Sequence, residues 1–192
     1  MGERVASPLI KTKAGMESAL DLEIEVSIAH GAWLEGVPAA ADVCRQAAIA
    51  AFEAGAGKFL DAPSEVSVLL TDNPAMQELN RDYRGKNQPT NVLSFAGMDG
   101  IDAEHSAAPD APLLLGDIVV AFETVAGEAA AHGKSLSDHL SHLIVHGMLH
   151  LLQYDHEQDA DAERMEALET EVLAGLGVAD PHTIMAKENV RK

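Results

Sequence analysis

Residues 139–156 read HLSHLIVHGMLHLLQYDH, and this helical, histidine-rich stretch determines how the rest of the chain is interpreted. The four-residue spacing of His146 and His150 places two imidazoles on one face of an α-helix, about one turn apart. His156 follows after Tyr154 and Asp155, which end the apolar helical pattern. Three imidazoles with a fourth position left open form a catalytic zinc site, whereas structural zinc sites are closed. The stretch therefore predicts a metal-dependent hydrolase.

Spacing alone leaves two histidine pairs open, because His142 and His146 also lie four residues apart. A buried, hydrogen-bonded histidine is commoner than a ligand, so a single pair is weak evidence. The combination is stronger, since apolar residues surround the pair and burying three uncompensated imidazoles is costly. A bound metal removes that cost. Three neutral nitrogens suit Zn²⁺ best, with other late divalent metals as alternatives.

Gly147 distinguishes this stretch from the HExxH motif of metalloproteases, in which a glutamate directly after the first histidine is the general base. Because this chain has no glutamate at that position, a peptidase is disfavoured and a phosphodiesterase is favoured. A residue without a side chain also leaves room for close approach of another element.

The composition indicates one globular domain without a membrane segment. A chain of 192 residues, 47% of them hydrophobic, can bury one sizeable core. Its single cysteine, Cys44, excludes an intramolecular disulfide and indicates a reducing compartment. No segment approaches the length needed to span a bilayer. We expect a cytoplasmic protein that does not bind membranes.

The net charge of −18, from 31 acidic and 13 basic residues, opposes nonspecific binding to nucleic acid. Residues 81–90 are an exception, because Arg81, Arg84 and Lys86 outnumber Asp82. Such a cationic spot is typical of a phosphate-binding pocket. It is also typical of a solvated helix end whose basic residues favour the helix dipole. Charge alone favours the second interpretation.

Hydrophobic periodicity predicts a domain over residues 20–177, an N-terminal tail over 1–19 and a C-terminal tail over 178–192. The predicted strands cover residues 20–28, 64–71, 90–95 and 113–121. The predicted helices cover residues 38–54, 74–84, 122–132, 136–152 and 159–174. An aperiodic acidic loop is expected at 97–112, and the six acids between Asp159 and Glu171 are expected to face water.

Three segments together resemble the YbeY family of rRNA-maturation endoribonucleases. HGMLHLLQYDH, at 146–156, matches that family's three-histidine signature. LNRDYRGKNQPTNVLSF, at 79–95, matches its second signature stretch, and LLLGDIVVA, at 113–121, is similar to the strand that precedes the histidine helix. The resemblance covers most of residues 20–175.

The resemblance implies one zinc ion per chain on His146, His150 and His156, with Arg84 as a catalytic residue beside the cleft. It implies a zincin-like, single α/β domain of the α+β type, with a small mixed four-stranded sheet packed by four to five helices. The implied function is single-strand-specific cleavage of RNA in rRNA processing, notably 3′-end maturation of 16S rRNA, and in ribosome quality control. The implied partners are single-stranded rRNA segments and ribosomal or small-subunit proteins.

Two residues depart from the family pattern. Gln153 stands where relatives usually carry a glycine that ends the helix in a left-handed turn, a conformation that costs a non-glycine residue roughly 1 kcal/mol. We therefore expect a differently built turn before His156. Asn91 stands where aspartate is common, which removes a charge near the cleft.

Two other functions are compatible with the same residues. One is a non-catalytic ribosome-assembly factor with a structural zinc, and the other is a metal hydrolase of a small molecule or peptide. Ser94 is not a convincing nucleophile, because the sequence places no base beside it.

Overall fold

A computed structural model describes residues 21–57, 63–97, 112–155 and 159–180. The strands and helices are, in chain order, β1 (Leu22–Ile28), α1 (Ala32–Gly36), α2 (Ala40–Gly55), β2 (Ser64–Thr71), α3 (Asn73–Arg84), β3 (Val92–Ala96), β4 (Leu113–Ala121), α4 (Phe122–His132), α5 (Leu136–Leu151) and α6 (Asp159–Gly175).

The strands form one mixed sheet in the order β1-β2-β4-β3. β1, β2 and β4 are parallel, and β3 pairs antiparallel with β4 at the edge of the sheet. This confirms the predicted α+β domain with a mixed four-stranded sheet.

Alternation along the strands sends side chains to two different layers. Ile118 and Val120 of β4 belong to the main core, to which α2, α5 and α6 contribute. Val119, between them, packs instead with Met76 of α3 and Leu93 of β3. The sheet therefore separates α3 from the histidine-bearing helix α5.

Capping residues set the helix boundaries where the sequence predicts them. The Asp72 side chain accepts a hydrogen bond from the Ala75 amide at 3.0 Å at the start of α3, and Gly85 ends this helix with a φ of 68°. Ser135 accepts in the same way from the Asp138 amide at 3.0 Å, which starts α5. These two contacts explain why α3 and α5 begin within one residue of the predicted starts at 74 and 136.

The prediction of four to five helices is wrong by one in the part of the chain that the structure describes. The sequence did not predict α1, a single turn that is too short to produce a helical period. This turn is built around Trp33, which is fully buried and donates its indole N–H to the Thr71 carbonyl at 3.0 Å. The tryptophan thus ties α1 to the end of β2.

Several predicted segments lie wholly or partly outside the described residues. They are the N-terminal tail, most of the acidic loop at 97–112 and most of the C-terminal tail. Of the last, Val178 donates its amide to the Leu173 carbonyl at 2.9 Å and packs against the core. No helix in the described ranges is long and apolar enough to cross a membrane.

Candidate metal centre

Helix α5 brings His146 and His150 together with their Nε2 atoms 3.1 Å apart. The helix is held between the sheet and α2, so ten of its residues are buried. The four-residue spacing puts both rings on one strip of this fixed helix. The pair is therefore presented by a rigid element.

The outer nitrogen of each ring contacts an oxygen atom. His150 Nδ1 lies 3.1 Å from the Tyr154 carbonyl oxygen, and His146 Nδ1 lies 3.1 Å from Oε1 of Glu169. A carbonyl or an ionised carboxylate only accepts hydrogen bonds, so each Nδ1 carries the hydrogen and donates it. In the neutral rings, both Nε2 atoms then carry lone pairs that point toward each other.

This arrangement fits a shared metal ion. Two nitrogens at 2.0–2.1 Å from a tetrahedral zinc are about 3.3 Å apart, close to the 3.1 Å observed. Metal-binding histidines commonly donate their other N–H to a carboxylate or a backbone carbonyl, as His146 and His150 do. His156, the predicted third ligand, lies outside the described residues. Within the ranges that the structure covers, no three His, Cys, Asp or Glu side chains form a metal site by themselves.

Gln153 itself adopts the left-handed conformation, with a φ of 71°. The Gln153 amide donates to the His150 carbonyl and the Tyr154 amide to the Leu149 carbonyl, both at 3.0 Å, which is the Schellman pattern that ends many helices. The expectation of a differently built turn is therefore wrong. The usual turn forms with a glutamine in it, and it directs the Tyr154 carbonyl back to His150.

Glu169 is a site residue that the sequence reasoning missed. The sequence predicts that all six acids of the last helix face water, but Glu169 is only 2% exposed, so the prediction is wrong for this residue. Helical periodicity could have indicated the burial of Glu169, because residue 169 lies four positions after Met165 and three before Val172, and both of these residues are buried. A carboxylate on the inward face of a helix needs a polar partner.

Two histidines of α5 provide that partner. Oε1 of Glu169 lies 3.1 Å from His146 Nδ1 and 3.4 Å from His142 Nε2. Burial on its own raises the pKa of Glu169, but hydrogen bonds and charge from the two histidines bring the pKa well below its ordinary value. His142 thus points toward Glu169, whereas His146 and His150 point toward each other.

Gly147 allows the sheet to approach α5 next to His146. A Cβ atom at this position would lie 2.9 Å from Ser94 Oγ and 3.1 Å from Cγ2 of Ile118. The expected close approach is therefore present, and the approaching elements are β3 and β4.

The basic stretch lies at the other side of the sheet. Arg81 is paired with Asp82 at 2.8 Å, which leaves Arg84 and Lys86 as exposed cations at the end of α3. Within the described ranges, the Arg84 guanidinium makes no hydrogen bond or ion pair, and none joins it to the histidine pair. The catalytic role of Arg84 stays a prediction.

Asn91, the residue before β3, belongs to a second polar cluster, which it forms with Glu128 of α4 and His139 of α5. Its side-chain amide donates to both carboxylate oxygens of Glu128, at 3.3 and 3.1 Å, and Glu128 Oε2 lies 2.7 Å from His139 Nε2. An aspartate at 91 would place a second carboxylate against Glu128. The neutral Asn91 avoids this repulsion, and Glu128 supplies the negative charge of the cluster. Burial lowers the pKa of His139, and the contact with Glu128 opposes this effect.

Comparison with known proteins identifies the family. The family model described as endoribonuclease YbeY matches residues 39–177. A relative named endoribonuclease YbeY from Paramagnetospirillum magneticum is 53% identical over 161 residues, which are 84% of this chain and 96% of the relative. One of the same name from Rhodospirillum rubrum is 49% identical over 166 residues, 84% of this chain and 82% of the relative. A solution structure from Thermotoga maritima covers 81% of this chain and 91% of its own, with 22% identity and a TM-score of 0.47. This chain therefore belongs to the endoribonuclease YbeY family.

Proposed function

We propose that this chain is a zinc-dependent endoribonuclease that cleaves single-stranded RNA, with the metal on His146, His150 and His156. As a member of the endoribonuclease YbeY family it is an RNA-cleaving hydrolase with a role in rRNA processing, and metal dependence is a general property of the family. The observation that carries the metal assignment is the 3.1 Å separation between Nε2 of His146 and Nε2 of His150.

The donor atoms favour zinc over harder cations. Imidazole nitrogens suit zinc and other late divalent metals, whereas magnesium and calcium prefer carboxylate, carbonyl and water oxygens. Glu169 is not an oxygen donor to this ion in the proposal, because its Oε1 contacts the outer nitrogen of His146. Three imidazoles leave one of four tetrahedral positions for water or substrate. We therefore propose one zinc ion per chain.

Such an ion, when bound, supplies a water with a pKa near 7 and polarises a phosphoryl oxygen. The chain itself holds the ligands in place. Glu169 keeps the hydrogen of His146 on Nδ1, and the Tyr154 carbonyl does the same for His150. Both Nε2 atoms are thereby kept available to the metal. Gly147 replaces the glutamate of HExxH, so no general base directly follows the first histidine.

Arg84 is proposed to stabilise the negative charge that develops on the phosphate during cleavage. Its guanidinium is exposed in a chain with a net charge of −18, and its five donors match phosphoryl oxygens. Since α3 and α5 pack on opposite faces of the sheet, this role requires the Arg84 side chain to reach round the edge strand β3.

The family resemblance also supports a specific place for this activity. We propose that the substrate is a single-stranded rRNA segment at the 3′ end of 16S rRNA, and that the same activity serves ribosome quality control in the cytoplasm. Ribosomal or other small-subunit proteins would add affinity that an acidic chain lacks on its own.

Metal analysis paired with RNA cleavage tests the proposal. The purified protein should contain one zinc per chain and cleave a single-stranded RNA, and a chelator should stop the cleavage. His146→Ala should lose zinc and cleavage together. His132→Ala, which changes an exposed histidine of α4, should keep both. Stoichiometric zinc in His146→Ala would contradict the ligand assignment.

Arg84→Ala separates a catalyst from a non-catalytic assembly factor. In a catalyst, this variant should retain its fold and its zinc and lose cleavage. If the wild type binds zinc and ribosomal subunits but cleaves no RNA under any tested condition, the assembly-factor alternative is correct.

A further inference from the structure

Tyr83 stands out because a large aromatic side chain on the inward side of a helix is left in solvent. It lies three residues after Asn80 and seven after Met76, which are 3% and 0% exposed, yet Tyr83 itself is 70% exposed. Within the described part of the chain it is the most exposed of the large hydrophobic side chains. Isolated exposed apolar residues such as Leu34 need no explanation. Tyr83 differs from them in its neighbours.

The ring of Tyr83 is supported from one side. Phe95 of β3 packs against it with ring centroids 4.9 Å apart and an angle of 61° between the rings. Phe95 itself packs on the small core that contains Met76 and Leu93. This contact orients the tyrosine ring and leaves most of its surface open.

Two exposed cations follow Tyr83 in the chain, and no hydrogen bond or ion pair within the described residues neutralises either of them. Arg84 follows Tyr83 directly, and Lys86 follows after Gly85, whose φ of 68° turns the chain at the helix end. Arg81, three residues before Arg84, is already paired with Asp82. Exposed aromatic rings near cationic side chains are what proteins use to hold single-stranded nucleic acid, because bases stack on the ring and phosphates bind the cations.

The edge strand β3 connects this surface with the candidate metal centre. Ser94 points toward α5, where its Oγ would lie 2.9 Å from a Cβ at residue 147, next to His146. The next residue, Phe95, points to the opposite face and contacts Tyr83. A strand of RNA that crosses the edge at β3 therefore passes from the aromatic ring to the histidine pair.

We infer that Tyr83 is a stacking platform for an unpaired base of single-stranded RNA, with Lys86 binding a neighbouring phosphate, while Arg84 keeps the role at the cleaved phosphate proposed above. This rests on the RNA-cleaving function proposed above and adds how the chain holds its substrate. Stacking requires a base that is free of a partner strand, so the platform selects single-stranded RNA. It does not select a sequence, because every base presents an aromatic face.

Binding of a short fluorescent oligouridine tests the platform. The measurement is made with chelator present, so that the RNA stays intact and the metal does not contribute. Tyr83→Ala should bind about 5- to 150-fold more weakly than the wild type, as expected for the loss of one stacked base. Tyr83→Phe keeps the ring and should bind like the wild type. Leu34→Ala, which removes an exposed apolar side chain on α1, is the matched control and should have no effect.

Two further measurements separate stacking from charge. Tyr83→Ala should leave the dependence of affinity on salt concentration unchanged, whereas Lys86→Gln should reduce the slope of log affinity against log salt by about 0.7. With an abasic oligomer, the difference between the wild type and Tyr83→Ala should disappear, because no base remains to stack.

The possible failures are distinguishable. Equal affinities of wild type, Tyr83→Phe and Tyr83→Ala would overturn the platform and leave RNA cleavage untouched. Persistence of the Tyr83→Ala defect on abasic RNA would also overturn it. If the wild type cleaves RNA but does not bind the oligomer when chelator is present, then Tyr83 does not bind RNA independently of the metal, and the proposal is refuted. A wild type that neither binds nor cleaves single-stranded RNA would refute the proposed function as well.

Discussion

Replacing Glu169 by glutamine should weaken zinc binding without unfolding the protein. The carboxylate is 2% exposed, and its Oε1 lies 3.1 Å from His146 Nδ1. Glutamine has nearly the same shape and still offers an oxygen that can accept this hydrogen bond. However, glutamine lacks the negative charge of the carboxylate. That charge makes His146 a stronger electron-pair donor to a cation, so the substitution should weaken metal binding.

The size of the effect follows from what each substitution removes. Loss of the partner of a metal-binding histidine typically costs 10- to 100-fold in metal affinity, which corresponds to about 1.4–2.8 kcal/mol. The distance of 3.1 Å is longer than that of a short charge-assisted hydrogen bond. We therefore expect about a tenfold loss for Glu169→Gln, at the lower end of this range. Glu169→Ala removes both the charge and the acceptor, and we expect about a hundredfold loss.

Competition with a chromophoric chelator at fixed neutral pH gives the zinc affinity directly. Glu166→Gln is the control, because it removes one negative charge from an exposed position of the same helix. Thermal unfolding of each metal-free variant shows whether the fold is retained. Equal affinities of Glu169→Gln and Glu166→Gln would refute the reasoning, since the effect would then be one of net charge.

Three further predictions concern stability and are measured by chemical denaturation. Gly147→Ala should lower the free energy of unfolding by about 1 kcal/mol, because a Cβ there collides with β3 and β4 and this outweighs the gain in helix propensity. Gly127→Ala, in α4 with no atom within 4 Å of a Cβ, should instead raise it by about 0.5–1 kcal/mol; two shifts of the same sign would contradict the packing argument. Gln153→Gly should raise the free energy of unfolding by about 0.5–1 kcal/mol, because it relieves the left-handed strain at some cost in chain entropy, and a decrease would show that the turn is not strained. Burial keeps the pKa of His139 below 6.5, so the unfolded chain takes up the proton first as the pH falls, and stability declines below about pH 6.5. His139→Gln should make this decline shallower, and an unchanged pH dependence would contradict it.

The sequence was sufficient for the elements whose ends carry specific residues. Asp72 and Ser135 marked helix starts, and Gly85 and Gly133 marked helix ends in the left-handed conformation. These signals act within a few residues, so they can be read without knowing the fold. Helix α1 has no such local signal. It is held in place by the buried Trp33, whose partner Thr71 lies 38 residues away in the sequence.

The candidate site was predictable only where it is local in sequence. The His146 and His150 pair follows from spacing on one helix. Glu169 lies on a different helix, and identifying it as their partner requires knowing how α6 packs on α5. The position of Arg84 across the sheet from this pair depends on strand order, which hydrophobic periodicity does not specify. The contacts of Asn91 likewise join three elements.

The structure of the zinc-loaded protein, with the metal located by anomalous scattering at the zinc edge, tests the central claim most directly. We predict one zinc bound by Nε2 of His146 and Nε2 of His150, a nitrogen of His156 as the third ligand, and a water in the fourth position. Glu169 should remain on the outer nitrogen of His146. A zinc without His156, or with a fourth protein side chain closing the site, would contradict the assignment of a catalytic metal centre.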